Sequence, residues 1–312
     1  CSPPWAPASL ATSRFSFVRG ARIPGDTDPP CCFDFNGDGE PDNGLGALLG
    51  LVGVLAEDVS VDERLDESIS DGAWTSVIEW TGWDAGTPTF AWHAATNDLN
   101  GDGAPDQDFS VRRDGRGVFR LSPDYIDGHG ALSVFNDAVF ASAGVVTAGP
   151  VDLPRFSLED PLSDLLVSVR PRRAQVRAAV RETARGIETN EAAELEMEFG
   201  AVISLDDVFA WLDAEVSACS CAGFDPREPV LSYGDNGTEY LVTCEQTPLG
   251  DCSGSSTICE NLGLVCSFIG QLVPVFGLGD IDADGNGVVD SMSMGLRFSL
   301  TGASLATPPV GP

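Results

Sequence analysis

Polar and apolar residues alternate most regularly in the second half of the chain. Ala174, Val176, Ala178 and Val180 interleave with Gln175, Arg177 and Arg181, and Ala193, Leu195, Met197, Phe199, Ala201 and Ile203 interleave with Glu194, Glu196 and Glu198. A period of two predicts strands with one buried face and one charged face. Folded as a hairpin, these strands set Arg181 near Glu194 and Arg177 near Glu198. Cross-strand pairing then explains the arginine row more simply than an anion site does. Met292, Met294, Leu296, Phe298 and Leu300 form another alternating strand.

Helical spacing is rarer. Leu205, Val208, Phe209, Leu212 and Val216 make one apolar stripe behind Ser204, a predicted N-cap with Asp207 at the capping-box position. Val61, Leu65 and Ile69 follow Ser60 and Glu63 at four-residue spacing and stop at Gly72. Residues 45–55 read as a Gly/Leu-rich buried helix and 257–269 as another. In the first half, Trp74, Ile78 and Trp80 share a strand face, and 87–94 return antiparallel. Residues 109–113 and 118–121 flank an Asp114-Gly115 hairpin turn. Phe15, Phe17, Arg19 and Ile23 suggest an extended arm over 14–23, ahead of Pro29 and Pro30.

These elements predict a mainly β protein, with antiparallel sandwich or jelly-roll-like sheets and a few short helices. The proline-bearing stretch 147–161 is the best boundary. The expected organisation is an N-terminal arm over 1–33, a β-rich module over 34–150 and a β- and cysteine-rich module over 151–312.

One motif occurs three times. DFNGDGEPD at 34–42, DLNGDGAPD at 98–106 and DADGNGVVD at 282–290 fit the template D-x-[DN]-G-[DN]-G-x-x-D. Oxygen-bearing side chains fall at alternate positions and again at the end: Asp34, Asn36, Asp38 and Asp42; Asp98, Asn100, Asp102 and Asp106; Asp282, Asp284, Asn286 and Asp290. Calcium takes six to eight oxygen ligands, and a sharply turning loop can aim alternate residues at one ion. The glycines permit the turn, and Glu40, Ala104 and Val288 stand where a backbone carbonyl would contribute. Asp, Asn and Gly also build ordinary turns, but three copies agreeing at six positions favour calcium. The loops resemble the DxDxDG calcium loops of thrombospondin type 3, dockerin and FG-GAP repeats, a resemblance confined to these short segments. An EF-hand would place a bidentate glutamate where this chain has Leu45, Phe109 and Ser293. Asp42, Asp106 and Asp290 are therefore the expected closing ligands.

Composition narrows the setting. The chain has 312 residues, 43% of them hydrophobic, which suffices for a large core. Its net charge is −31, and all 17 basic residues are arginine. Such a field repels nucleic acid and anionic membranes and favours cations. A GC-rich genome and adaptation to salt are competing sources of this bias. Nine cysteines, six of them between 219 and 266, predict disulfides in an oxidising compartment, with a connectivity that spacing leaves open. Cys1, followed by Ser-Pro-Pro, resembles the lipid-bearing first residue of a mature bacterial lipoprotein. The expected location is extracellular or at the bacterial cell surface, secreted or anchored only through a lipid on Cys1.

No nucleophile elbow, phosphate-binding loop or HExxH motif is present, and His93 and His129 lie in unlike contexts. The sequence predicts no enzyme. It predicts a calcium-stabilised structural protein that assembles with itself, possible strand donation coming from residues 14–23. A monomeric adhesin or glycan binder using Trp74, Trp80, Trp83 or Trp92 is the alternative, and a calcium-dependent hydrolase is the third reading. Tryptophans at alternating strand positions are more simply core.

Overall fold

The computed structural model describes residues 13–24, 31–47, 61–96, 118–121, 133–153, 156–160, 165–189, 196–249, 252, 257–269 and 279–305, apart from positions 73, 87, 136, 143, 226, 261, 264, 265, 267 and 268. The protein is mainly β, as its alternation predicts. One curled sheet runs in the order β16 (Ser304–Leu305), β4 (Val118–Leu121), β3 (Thr89–Thr96), β2 (Ser76–Thr81), β1 (Arg14–Arg22), β15 (Ser291–Gly302), β12 (Met197–Ser204), β10 (Arg172–Thr183), β7 (Val145–Val151) and β6 (Val139–Ser142). β5 (Ser133–Phe135) adds to β3, and β11 (Gly186–Thr189) adds to β10. Two small antiparallel pairs stand apart, β8 (Phe156–Asp160) with β9 (Leu165–Val169) and β13 (Leu231–Asp235) with β14 (Tyr240–Cys244). Helices among the described residues include α1 (Val61–Asp71), α2 (Leu205–Ser217) and α3 (Thr257–Glu260).

Ring contacts measure the curl. Phe17 on β1 stacks on Phe119 of β4 at 4.8 Å, and Trp92 on β3 meets Phe298 of β15 at 4.9 Å. Each pair is three strands apart in the sheet, about 14 Å if the sheet were flat. The sheet therefore bends around its aromatic side chains, and Phe140 of β6 closes towards Trp83 at 5.1 Å. This interior holds Trp80, Phe90, Phe199, Met197, Leu296 and Phe298, all buried.

The alternating strands pair largely as predicted. Arg177 lies opposite Glu198. Arg181, however, meets Glu188 at 3.6 Å, because β11 folds back on the end of β10 and occupies that edge. Glu194 lies outside the described residues. α1 ends at Gly72, whose φ of 81° reverses the chain. Ser204 caps α2 by accepting from Asp206 N–H at 3.2 Å, and Leu205, Phe209 and Val216 are its buried face.

Residues 14–23 are not a free arm: β1 sits between β2 and β15, with Arg14 opposite Trp80 and Ala21 opposite Phe298. Phe15, Phe17 and Val18 are buried there, so this strand gains more inside the sheet than along an open edge. The boundary after residue 150 runs through β7, whose sheet contains strands from both sides of it. Most of the helix expected over 45–55 and all of the hairpin strand expected over 109–113 lie outside the described residues.

A second, smaller core lies under α2, β13 and β14. Three disulfides hold it, Cys219–Cys259, Cys221–Cys252 and Cys244–Cys266, while Cys31 and Cys32 pair with each other across a cis peptide bond. This cysteine usage fits a non-reducing environment. No helix among the described residues is long and apolar enough to cross a membrane.

Candidate metal centre

The first and third motif copies adopt the same local structure. In the first, Asp34 accepts the N–H groups of Gly37 and Gly39, Asn36 Oδ1 accepts Asp38 N–H at 2.9 Å, and Asp38 Oδ1 accepts Glu40 N–H at 2.8 Å. In the third, Asp282 accepts from Gly285 and Gly287, each at 2.8 Å. Asp284 Oδ1 accepts Asn286 N–H at 3.0 Å and Asn286 Oδ1 accepts Val288 N–H at 2.7 Å. The last aspartate of each copy reaches back to the second residue, Asp42 to Phe35 N–H at 2.6 Å and Asp290 to Ala283 N–H at 3.4 Å. Gly37, Gly39, Gly285 and Gly287 have φ of 84°, 93°, 77° and 91°, a conformation the alternating donors require and other residues resist. A bridge closes each loop, Phe33 with Asp42 and Ile281 with Ser291.

Both loops lie on the outer face of the central strands. Asn43 Oδ1 accepts Gly295 N–H of β15 at 2.8 Å, and Ser293 Oγ of β15 accepts Gly44 N–H at 2.7 Å. The same Ser293 hydroxyl donates to Asp280, just ahead of the third loop. Ser293 stands at the position where an EF-hand carries its glutamate, and here it ties the two loops to one strand. Phe33 and Phe35 cover Gly200 of β12, where an added Cβ would lie 2.5 Å from the Phe33 ring. Arg173 donates to the Phe35 carbonyl at 2.9 Å and stacks over its ring.

The donors are carboxylate, amide and backbone oxygens, the chemistry that suits a hard cation such as Ca²⁺. In the first loop they are Asp34, Asn36, Asp38 and Asp42 with the Glu40 carbonyl; in the third, Asp282, Asp284, Asn286 and Asp290 with the Val288 carbonyl. No three of these carboxylates stand within 4.8 Å of one another. Burial pushes the Asp42 carboxyl above the usual aspartate range, aided by Asp280 and Asp38 and opposed by the Phe35 and Asn36 N–H groups. A divalent ion would relieve that repulsion. The second copy, with Asp98, Asn100, Asp102, Ala104 and Asp106, lies outside the described residues.

Sequence spacing did not reveal several neighbours of the loops. Asn43 and Asp280 border the motifs and were in principle visible there. Asp235, which accepts from Asn286 Nδ2 at 3.3 Å, arrives from the end of β13 and leaves no local signal.

Among the described residues, Cys31, Cys32 and Glu198 are the one group of three potential ligands within 4.8 Å. It suits calcium poorly, since its sulfurs are soft and joined to each other and Glu198 is held by two arginines. The tryptophans give little support to a sugar platform: Trp74, Trp80 and Trp92 are buried, and Trp83 packs against Trp80 and Phe140. His93 is buried beside Glu79 at 3.2 Å, with Ser13 on the other carboxylate oxygen at 2.7 Å, and His129 lies outside the described residues. No family model, no curated protein and no solved structure matches this chain.

Proposed function

We propose that this chain is an extracellular, calcium-stabilised structural protein that assembles with copies of itself at the cell surface. The observation that carries the calcium part is the repetition of one hydrogen-bonded loop at 34–42 and 282–290, both joined to β15 through Asn43, Gly44 and Ser293. Ions held there would rigidify two loops, from opposite ends of the chain, that hydrogen bonds hold against the same face of the sheet. An ion bound only by the folded state adds about 2.7 kcal/mol at a hundredfold excess over its Kd.

Assembly by donation of residues 14–22 is an exchange. β1 of one copy takes, in its neighbour, the place between β2 and β15 that it holds here in its own chain. Each copy donating to the next in one direction gives a filament.

Electron microscopy and light scattering in calcium and in chelator test the assembly, and calorimetry of the chelated protein tests the metal. Ordered polymers in calcium that disperse on chelation are expected. Monodisperse particles in calcium would overturn the assembly, and absence of calcium binding would overturn the metal reading.

A further inference from the structure

Five of the asparagines precede glycine: Asn36, Asn43, Asn100, Asn236 and Asn286. Three of these pairs lie within the repeated motif. Asparagine before glycine is chemically labile, because the glycine backbone nitrogen has no side chain to hinder its attack on the asparagine Cγ. In that step the N–Cγ bond forms, ammonia leaves with the amide nitrogen, and a five-membered succinimide remains. Water then opens the ring at either carbonyl, giving aspartate or the backbone-lengthened isoaspartate.

The loops hold both reacting partners away from that path. At Asn36 the glycine nitrogen is turned to the Asp34 carboxylate, while the side-chain amide accepts Asp38 N–H at 2.9 Å and donates to Asp42 Oδ1 at 2.8 Å. At Asn286 the Gly287 nitrogen donates to Asp282 Oδ2 at 2.8 Å, and the side-chain oxygen accepts Val288 N–H at 2.7 Å. For ring closure the glycine must leave the first aspartate of the loop and the asparagine must release the residue two places on. Nothing packs near the Cβ positions of Gly37 or Gly287, and the asparagines are exposed. At Asn36 the loop's own hydrogen bonds, and any ion that draws its carboxylates together, oppose opening; at Asn286 a bond from Nδ2 to Asp235 Oδ2 of β13 at 3.3 Å adds to them. Asn43 differs: its Oδ1 accepts Gly295 N–H at 2.8 Å and its Nδ2 donates to the Pro24 carbonyl at 2.7 Å, so distant strands hold it.

We propose that Asn36 and Asn286 are deamidation sites gated by order in their loops, so that loss of the bound cation starts chemical ageing of the loops themselves. The two products differ in effect. Aspartate at either position keeps an oxygen ligand and adds charge. Isoaspartate inserts a methylene into the backbone and destroys the alternate spacing on which the donor set depends. The ion dependence rests on the calcium reading; the hydrogen-bond gating does not.

The test is peptide mass spectrometry of the full chain, aged in calcium and in chelator, with isoaspartate quantified at each site. If only the closed loop holds calcium, a concentration about a hundred times Kd suppresses opening about a hundredfold. Chelation is therefore expected to raise the rates at Asn36 and Asn286 by about tenfold or more, leaving Asn43 unchanged. In chelator, Asp34→Ala is expected to raise the rate at Asn36 while Asn286, in an intact loop, keeps its own. Rates at Asn36 that ignore both chelation and Asp34→Ala would overturn the proposal. A response to Asp34→Ala without any response to chelator, together with no calcium uptake by calorimetry, would retain the gating and reject the calcium reading.

Discussion

Arg177 of β10 stands opposite Glu198 of β12, its Nε 2.9 Å from Oε2, while Arg297 of β15 reaches the other carboxylate oxygen at 3.2 Å. Glu198 and Arg297 are almost wholly buried, with side-chain exposures of 3% and 9%, whereas Arg177 is 44% exposed. Glu198→Ala therefore removes a buried carboxylate that two arginines share and is expected to cost about 3–5 kcal/mol. Arg177→Ala is expected to cost about 1 kcal/mol or less, since its charge is solvated. Urea unfolding of both variants checks the order; equal costs would contradict it.

Gly200→Ala should act on the first loop from the strand beneath it. The new Cβ would meet the Phe33 ring at 2.5 Å and the Phe35 ring at 3.3 Å, forcing the loop off the sheet. Overpacking of this kind costs roughly 1–3 kcal/mol. If the loops bind calcium as proposed, calorimetry is expected to show weakened binding at one site, with the third loop retaining its affinity.

Asp42 makes the calcium-free protein sensitive to pH. Its carboxyl is raised, chiefly by burial, so the folded state holds this proton at pH values where the unfolded chain has released it. Stability from this group is present below the ordinary aspartate value of about 3.9, falls as pH rises towards the raised one, and does not return above it. Calcium bound there as proposed would favour the ionised form and should reverse that slope. Melting curves across this window, with Asp42→Asn as reference, are expected to show the slope in chelator and lose it in the variant.

Reduction should unfold one region before the rest. Cys219–Cys259, Cys221–Cys252 and Cys244–Cys266 close separations of 40, 31 and 22 residues, each contributing roughly 3–4 kcal/mol by chain entropy. They serve the small core under α2, while the sheet interior contains none of these cysteines. Hydrogen exchange after reduction is expected to show β13 and β14 exposed while β12 and β15 stay protected.

What could be read from sequence was what is encoded over a few residues. The alternation at 174–180 and 292–300 reports a buried face because side chains leave a strand on opposite sides. The motif at 34–42 reports its own hydrogen bonds because each donor and acceptor lies within the same loop. Even the Arg177–Glu198 pair was legible, since both charges sit on the polar phase of neighbouring strands.

Strand order and cross-chain contacts were not legible in this way. Residues 14–22 carry the same alternation whether they form an arm or a central strand; their place beside β15 depends on the competition among all the apolar strands for the interior. Arg181 lies opposite Glu188 because β11, a short strand with a weak pattern, pairs with the end of β10. Sequence by itself determined the β character and the oxygen-rich loops, because period and turn chemistry are local. Tertiary structure alone decided that two loops from opposite ends of the chain share β15, because that meeting is made by Asn43, Gly44 and Ser293 across long-range contacts no local pattern records.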